Sequence, residues 1–362
     1  MDVSARLPRL YSEGSTRFEL VLRYEDIRWL TGFTGGTSQL LVDRGSREAY
    51  LIVDGRYVDR AHDELAASKA SVTVVQMSGM RQAHDCVADI VRTDSIAVDP
   101  AHLTVAHMNV LRQNMTVFEA STSMDVLRRI KDDNEIELIH RAANIAHDAL
   151  MSVISDGIIG KTERQIRNRI DQCMRDGGAD DVGFDTIVAT GANAARPHHE
   201  PTNDVIEVGH MVVIDFGAEV DGYRSDMTRT IRVGPQSAAM ESMFALVFEA
   251  QAAGVAAVTS GVVGSEIDSA VRRVFAAAGV EHEYVHGTGH GIGLYIHEQP
   301  IFSPRCEAVL GVNEVVTVEP GLYRKGVGGV RIEDLVVVTD NRCRILTNTP
   351  KDLSCPRSPQ TI

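Results

Sequence analysis

The chain has 362 residues, enough for two domains with separate cores. Hydrophobic residues make up 44% and charged residues 24%, an ordinary balance for a soluble globular protein, and a net charge of −14 argues against nucleic acid as a partner. No apolar run is long enough to predict a membrane span, and the opening MDVSARLPRLYSEG lacks the apolar centre of a signal peptide. Residues 1–125 alternate short β-rich runs with helical patterns. Strands are predicted at FELVLR (18–23), QLLVDR (39–44), AYLIVD (49–54), SVTVV (71–75), SIAVD (95–99) and TVFEA (116–120). Helical stretches such as YVDRAHDELAAS and MRQAHDCVADIVRT lie between them, so a smaller α/β domain with a mostly parallel or mixed sheet is expected over 1–125.

The pattern changes near 125–134. In LRRIKDDNEIELIHRAANIAHDALMSVIS, apolar Ile136, Ile139, Ala143, Ala146 and Leu150 fall at helical spacing, with Asp132 or Asp133 able to cap the first turn. A second helix starts at Thr162, whose spacing to Gln165 is that of a capping box, and ends at Gly177 and Gly178. Two more helices are predicted at about 237–259 and 265–278, alternating with strand pairs around 185–190, 211–233 and 314–339. That order predicts an α+β domain over 126–362, its mainly antiparallel sheet covered on one face. The five cysteines, Cys86, Cys173, Cys306, Cys343 and Cys355, are scattered and form no C-x-x-C pair, which suits reduced thiols in a cytoplasmic protein.

Five residues of the second domain stand in contexts that suggest one metal site. Asp215 closes the apolar run MVVIDFG, and Asp226 follows in YRSDMTRT. His290 lies in HGTGHGIG, Glu319 in VTVEPGLY and Glu333 in GGVRIEDLVVV. Four carboxylates and an imidazole are a hard, oxygen-rich set suited to divalent ions such as Mn²⁺, Co²⁺ or Zn²⁺. Two such ions about 3.5–4 Å apart can share a hydroxide nucleophile and polarise a carbonyl, which points to a hydrolase. Asp215 and Asp226 bracket Val220-Asp221-Gly222, a plausible hairpin turn that would bring them roughly opposite each other. Glu319 and Glu333 bracket GLYRKGVGG in the same manner. An aspartate interrupting an apolar strand is costly unless it coordinates or pairs, so a surface hairpin explains any one of these residues better than it explains all five. GTGHGIG lacks the pattern of a phosphate loop, and its glycines are better explained by close backbone approach around a metal-binding histidine.

These motifs resemble the pita-bread metallopeptidase family, which includes methionine aminopeptidase, aminopeptidase P and prolidase. LTGFTGGT (30–37) and VDGRYVDRA (53–61) resemble the amino-terminal domain of the prolidase and aminopeptidase P branch, and LRRIKDDNEIELI resembles the linker and first helix that follow it. The resemblance spans almost the whole chain and implies a pita-bread catalytic domain behind a smaller α/β domain, in a homodimer. It implies two divalent ions per chain, manganese first, with Asp215 on one, His290 and Glu319 on the other, and Asp226 and Glu333 bridging. The ligand set is complete, which disfavours the metal-free creatinase branch and the non-catalytic binding members.

The resemblance also implies that Glu319 shuttles protons. His198 and His297 would hydrogen-bond the scissile carbonyl or the tetrahedral intermediate, and His286 would border the proline pocket. His199 is adjacent to His198 and competes for its role. Arg331 would orient a carboxylate ligand, and Tyr323 resembles a pocket residue, although a core tyrosine fits its place almost as well. The expected substrate is a proline-containing peptide cleaved before proline, most simply a dipeptide. Alternatives are an aminopeptidase acting on longer peptides, a prolidase-like phosphotriester hydrolase, and a non-catalytic binding protein of the same fold. The opening, Leu7 to Gly14, is shorter than the first helix such a domain would be expected to carry.

Overall fold

The computed structural model describes residues 2–14, 16–78, 82–119 and 124–355. The chain divides into two compact units, Met1–Arg128 and Arg129–Ile362. In the first, all six apolar runs read as strands pair: β1 (Phe18–Val21), β2 (Ser38–Asp43), β3 (Glu48–Val53), β4 (Thr73–Gln76), β5 (Ser95–Val98) and β6 (Thr116–Glu119). They form one mixed sheet in the order β4-β3-β2-β1-β5-β6. β2 pairs antiparallel to both β1 and β3, and the other three pairings are parallel. The helices are α1 (Arg6–Tyr11), α2 (Tyr24–Thr31), α3 (Val58–Ser68), α4 (Ala83–Val91) and α5 (Val105–Asn114), and α6 (Met124–Arg129) leads onward. Met80 and Arg81 of the expected second helix, and Ala120 of the last expected strand, lie outside the described residues. The core packs Phe18, Leu20, Leu41, Ile52, Ile96 and Val98 of the sheet against Val87, Val91 and Leu111 of α4 and α5.

The second unit opens with α7 (Asp133–Ser155) and α8 (Glu163–Asp176). Asp132 caps α7 in a capping box with Glu135, and Thr162 caps α8 with Gln165, so in both helices side chains satisfy N–H groups the helix itself leaves open. After them come β7 (Asp181–Val182), β8 (Ile187–Thr190), β9 (Met211–Phe216), β10 (Ala218–Val220), β11 (Tyr223–Arg224) and β12 (Met227–Val233). Helices α9 (Ala238–Ala257) and α10 (Gly264–Ala277) precede β13 (Gly289–Gly291), β14 (Glu298–Phe302), β15 (Val315–Val318), β16 (Gly321–Arg324), β17 (Gly328–Arg331), β18 (Asp334–Val338), β19 (Cys343–Ile345) and β20 (Leu353–Cys355).

Two helix-covered halves result. In one, the sheet β20-β12-β9-β8 turns Val212, Ile214 and Phe216 toward α7 and α8, where they pack on Ala146, Leu150, Ile166 and Ile170. Full burial of a side chain such as Leu150 stabilises the fold by about 1.5–3 kcal/mol. In the other, α9 and α10 cover Leu322, Val330 and Ile332, while Val316, Val318 and Val336 of the antiparallel sheet β14-β13-β15-β18-β19 pack on Val258 and Ile267. The halves are stitched through β12. Thr230 Oγ1 donates to the Arg331 carbonyl at 2.8 Å, and the Glu333 N–H donates to the Thr228 carbonyl at 3.1 Å. Side chains alternate across a strand, so the residues of β9 that do not face α7 and α8 point to the opposite side. Asp215 is one of them.

Candidate metal centre

The turn at Asp221 and Gly222 has φ of 51° and 80°, two left-handed residues that suit a tight hairpin. Its register sharpens the expectation that the two aspartates lie roughly opposite each other. Asp215 pairs with Thr228 and Phe216 with Met227, so Asp226 falls one diagonal step away, opposite Gly217. Residues two apart on a strand share a face, so Asp215 and Asp226 still point to the same side. Gly217 has a physical reason here: a Cβ would lie 1.8 Å from the Ser225 carbonyl oxygen. Val318 pairs with Asp334 on β15 and β18, and Gly321 with Arg331 on β16 and β17. The same register sets Glu319 against Glu333 in the gap between the two ladders. His290 sits on β13 between Gly289 and Gly291. A Cβ on Gly289 would lie 2.0 Å from the Thr317 carbonyl oxygen, and one on Gly291 would lie 2.2 Å from that of Gln299. Only glycine lets the neighbouring strands come this close to the histidine.

The five residues converge on one cavity of about 500 Å³. Asp226, His290 and Glu333 are buried, and each offers a ligand atom within 4.8 Å of the other two. His290 Nε2 lies 3.5 Å from Asp226 Oδ2 and 3.5 Å from Glu319 Oε1. Asp215 lies outside the tight trio and lines the same cavity, held at Oδ2 by Arg331 Nη2 at 2.5 Å. The tautomer of His290 is set by its backbone: Nδ1 lies 2.9 Å from the Gly291 carbonyl oxygen, an acceptor only, so Nδ1 carries the proton and Nε2 presents a lone pair to the carboxylates.

This arrangement fits a cation. Among the described residues, Asp215 Oδ1, Asp226 Oδ1 and Glu333 Oε1 are buried with no hydrogen-bond partner. Buried carboxylate oxygens without donors are expensive. Burial, reinforced by the charges of Asp215 and Glu319, pushes the Asp226 carboxyl well above the carboxylate range. Burial and the charges of Asp226 and Glu319 do the same to Glu333. Divalent ions would supply the missing partners and the missing charge, and Asp215, Asp226, His290, Glu319 and Glu333 are the residues that would hold them.

The remaining expected residues surround this cluster. His297 lies beside His290, ring centroids 4.5 Å apart and edge to face, and burial followed by the nearby His290 lowers its pKa. His286 borders the cavity with Nε2 2.9 Å from the Tyr323 hydroxyl, its pKa lowered by burial. Tyr323 stands behind His286 and Arg331 and does not line the cavity; burial raises its hydroxyl to about 12. Arg331 donates through Nε to Thr228 Oγ1, through Nη1 to the Pro197 carbonyl and the Tyr323 hydroxyl, and through Nη2 to Asp215. His198 lines the cavity and is exposed, whereas His199 is buried and its Nε2 donates to Glu163 at 2.8 Å.

Several contributors escaped the sequence reading. Thr228 Oγ1 donates to Glu333 Oε2 at 2.7 Å, and Thr317 Oγ1 bonds both the His290 N–H and Glu319 Oε1. Each threonine lies two residues from a site carboxylate, so the strand period alone could have found them. Phe184, Ile187, Ile296 and Ile301 form the apolar part of the lining and carry no comparable signal.

Comparison with known proteins matches this geometry to a family. Residues 134–340 match the metallopeptidase family M24, and residues 5–130 match the creatinase/prolidase N-terminal domain. The chain belongs to metallopeptidase family M24. Its fold is that family's pita-bread catalytic domain preceded by the creatinase/prolidase α/β domain. The chain is 36% identical over 311 residues to an Xaa-Pro dipeptidase of Pyrococcus furiosus, covering 84% of this chain and 88% of that protein. A solved Xaa-Pro dipeptidase from Bacillus anthracis superposes with a TM-score of 0.90 at 35% identity, covering 97% of this chain and 98% of that one. A solved X-Pro aminopeptidase from Thermotoga maritima superposes with a TM-score of 0.86 at 31% identity, covering 96% and 99%. In this metallopeptidase, no helix among the described residues is long and apolar enough to cross a membrane.

Proposed function

We propose that the protein is an Xaa-Pro peptidase holding two divalent ions, manganese first, that cleaves the bond before proline in peptides continuing past the proline. The buried cluster of Asp226, His290 and Glu333, with Asp215 and Glu319 on the same cavity wall, is the observation that carries the metal-dependent part. When bound there, the ions activate water and polarise the scissile carbonyl. The chain's own groups do the rest. Glu319 Oε1 faces the cluster and accepts a 3.3 Å hydrogen bond from Thr317 Oγ1, placed to carry a proton from the attacking water toward the leaving proline nitrogen. His198 and His297 line the cavity as donors to the oxygen on which negative charge develops. Ile187, Ile296, Ile301 and Phe184 exclude water and give proline an apolar surface, with His286 at its border.

The substrate-length part departs from the dipeptide expected from the sequence and takes up the alternative of longer peptides; it rests on Arg331. It is the only lysine or arginine among the described residues of the lining, and four of its hydrogen bonds already go to protein groups. A dipeptide needs a partner for the carboxylate that immediately follows proline, best a free guanidinium. Among the described residues this cavity wall offers none, and a longer peptide or an amide brings no such charge to it. The relatives include both dipeptidases and aminopeptidases, so their names do not separate the two readings. The test compares kcat/KM for Ala-Pro, Ala-Pro amide and Ala-Pro-Ala with manganese-loaded protein. The amide and tripeptide should be cleaved at least as well as the free dipeptide. A tenfold or greater preference for the free dipeptide would show carboxylate recognition and make the protein a dipeptidase.

A further inference from the structure

The segment from Thr190 to Asp204 carries Pro197 and His198 to the cavity, and five hydrogen bonds bind it to one carboxylate. Glu163, the first residue of α8, is completely buried. Its Oε1 accepts from the Thr190 N–H at 2.7 Å and from Asn193 Nδ2 at 3.0 Å. Its Oε2 accepts from His199 Nε2, the Thr202 N–H and Thr202 Oγ1, each at 2.8 Å. The backbone of α8 adds two more links, from the Glu163 N–H to the Asp204 carbonyl at 3.1 Å and from the Arg164 N–H to the Thr202 carbonyl at 3.0 Å. A carboxylate that accepts only must find donors, and every donor here comes from this one segment. His199, drawn inward by Glu163, turns its neighbour outward: His199 is buried, while His198 is exposed on the cavity.

We infer that Glu163 is a positioning residue for the reaction, folding the segment 190–204 around its carboxylate so that His198 is held at the metal centre. This rests on the role given above to His198 in Xaa-Pro hydrolysis. Glu163 lines neither the cavity nor the metal cluster. It acts through His199 and the backbone. The charge cannot be replaced by an isosteric amide. Two of the donors are backbone N–H groups, one on each oxygen, and neither can rotate away. In Glu163→Gln the side-chain NH₂ must face either Thr190 or Thr202, leaving a buried donor opposed to a donor.

The test is a double-mutant cycle between Glu163→Gln and His198→Ala, read with amide hydrogen exchange. In the wild-type background, Glu163→Gln should lower kcat/KM for Ala-Pro-Ala by about 10²-fold, the scale of a misplaced catalytic group, with metal content per chain unchanged. In the His198→Ala background the same change should cost no more than about threefold, because the group being positioned is gone. Exchange at the Thr190 and Thr202 amides should quicken in the variant while β9 stays protected. Thr202→Val removes only one hydroxyl and is the gentler variant, with the same signature at about fivefold. Equal losses in both backgrounds would show a general structural role and overturn the inference. Unchanged exchange at Thr190 and Thr202 would also overturn it. If the wild type cleaves no Xaa-Pro peptide with any metal, the functional reading fails and the exchange measurement still decides whether Glu163 holds the segment.

Discussion

In the proposed metal centre the strongest effects are expected from Asp226 and Glu333, because both are buried among other carboxylates with an oxygen that no donor among the described residues reaches. Asp226→Asn and Glu333→Gln keep the shape and delete the charge. Each should bind fewer than two ions per chain by metal analysis and lose Xaa-Pro hydrolysis while remaining folded. Two retained ions with full activity would remove these residues from the ligand set. His198 and His297 should behave differently. Alanine at either position should lower kcat by about 10²–10³-fold, the usual cost of one donor to a developing oxyanion, and leave the metal content at the wild-type level. Loss of metal in parallel with activity would instead make that histidine a ligand.

At the scale of elements, the centre depends on how the strand pair carrying Glu333 is tied to its surroundings. Arg229 of β12 and Asp334 of β18 are both fully buried and bond at 2.8 Å. Asp334 also accepts from Thr347 Oγ1 at 2.7 Å, Gln251 Nε2 at 3.0 Å and Lys351 Nζ at 2.7 Å. Burial alone would raise its pKa; Arg229 and Lys351 outweigh that and hold it below the ordinary value of 3.8. A carboxyl depressed in the folded state stabilises above its unfolded value and loses that contribution as pH falls through the folded one. Asp334→Asn should therefore destabilise by about 3–5 kcal/mol at pH 7, leaving Arg229 buried without its anion. Urea midpoints should show the gap to wild type narrowing as pH drops below 3.8. A gap that stays constant would mean the carboxylate charge is not what Arg229 requires.

The elements themselves were largely legible. The capping pairs Asp132 with Glu135 and Thr162 with Gln165 mark two helix starts, and alternation marks the six strands of the first unit. Helices α2 and α5 were not among the stretches named from the sequence; α5 buries Leu111 alone, so VAHMNVLRQN shows no apolar face for a period to reveal. The exact opposition of Asp215 to Thr228 was not legible either, since hydrophobic alternation fixes which face a residue takes but not the step along the partner strand. Glu163 was the least visible of all. An acidic residue in the first turn of a helix reads as a dipole partner, and its bonding groups lie 27 to 39 positions away in the chain.

Over the whole molecule, the catalytic unit brings five carboxylate and imidazole groups from distant segments to one wall and leaves them short of positive charge, with Arg331 tied to Asp215. We propose that two divalent ions complete this site and make the protein an Xaa-Pro peptidase. The most direct measurement strips the protein of metal and titrates manganese back while following hydrolysis of Ala-Pro-Ala. Activity should be absent without metal, rise with added ion and level off at two equivalents per chain. Hydrolysis that persists in the stripped protein, or saturates at one equivalent, would contradict the two-ion centre; no cleavage before proline at any manganese concentration would contradict the account as a whole.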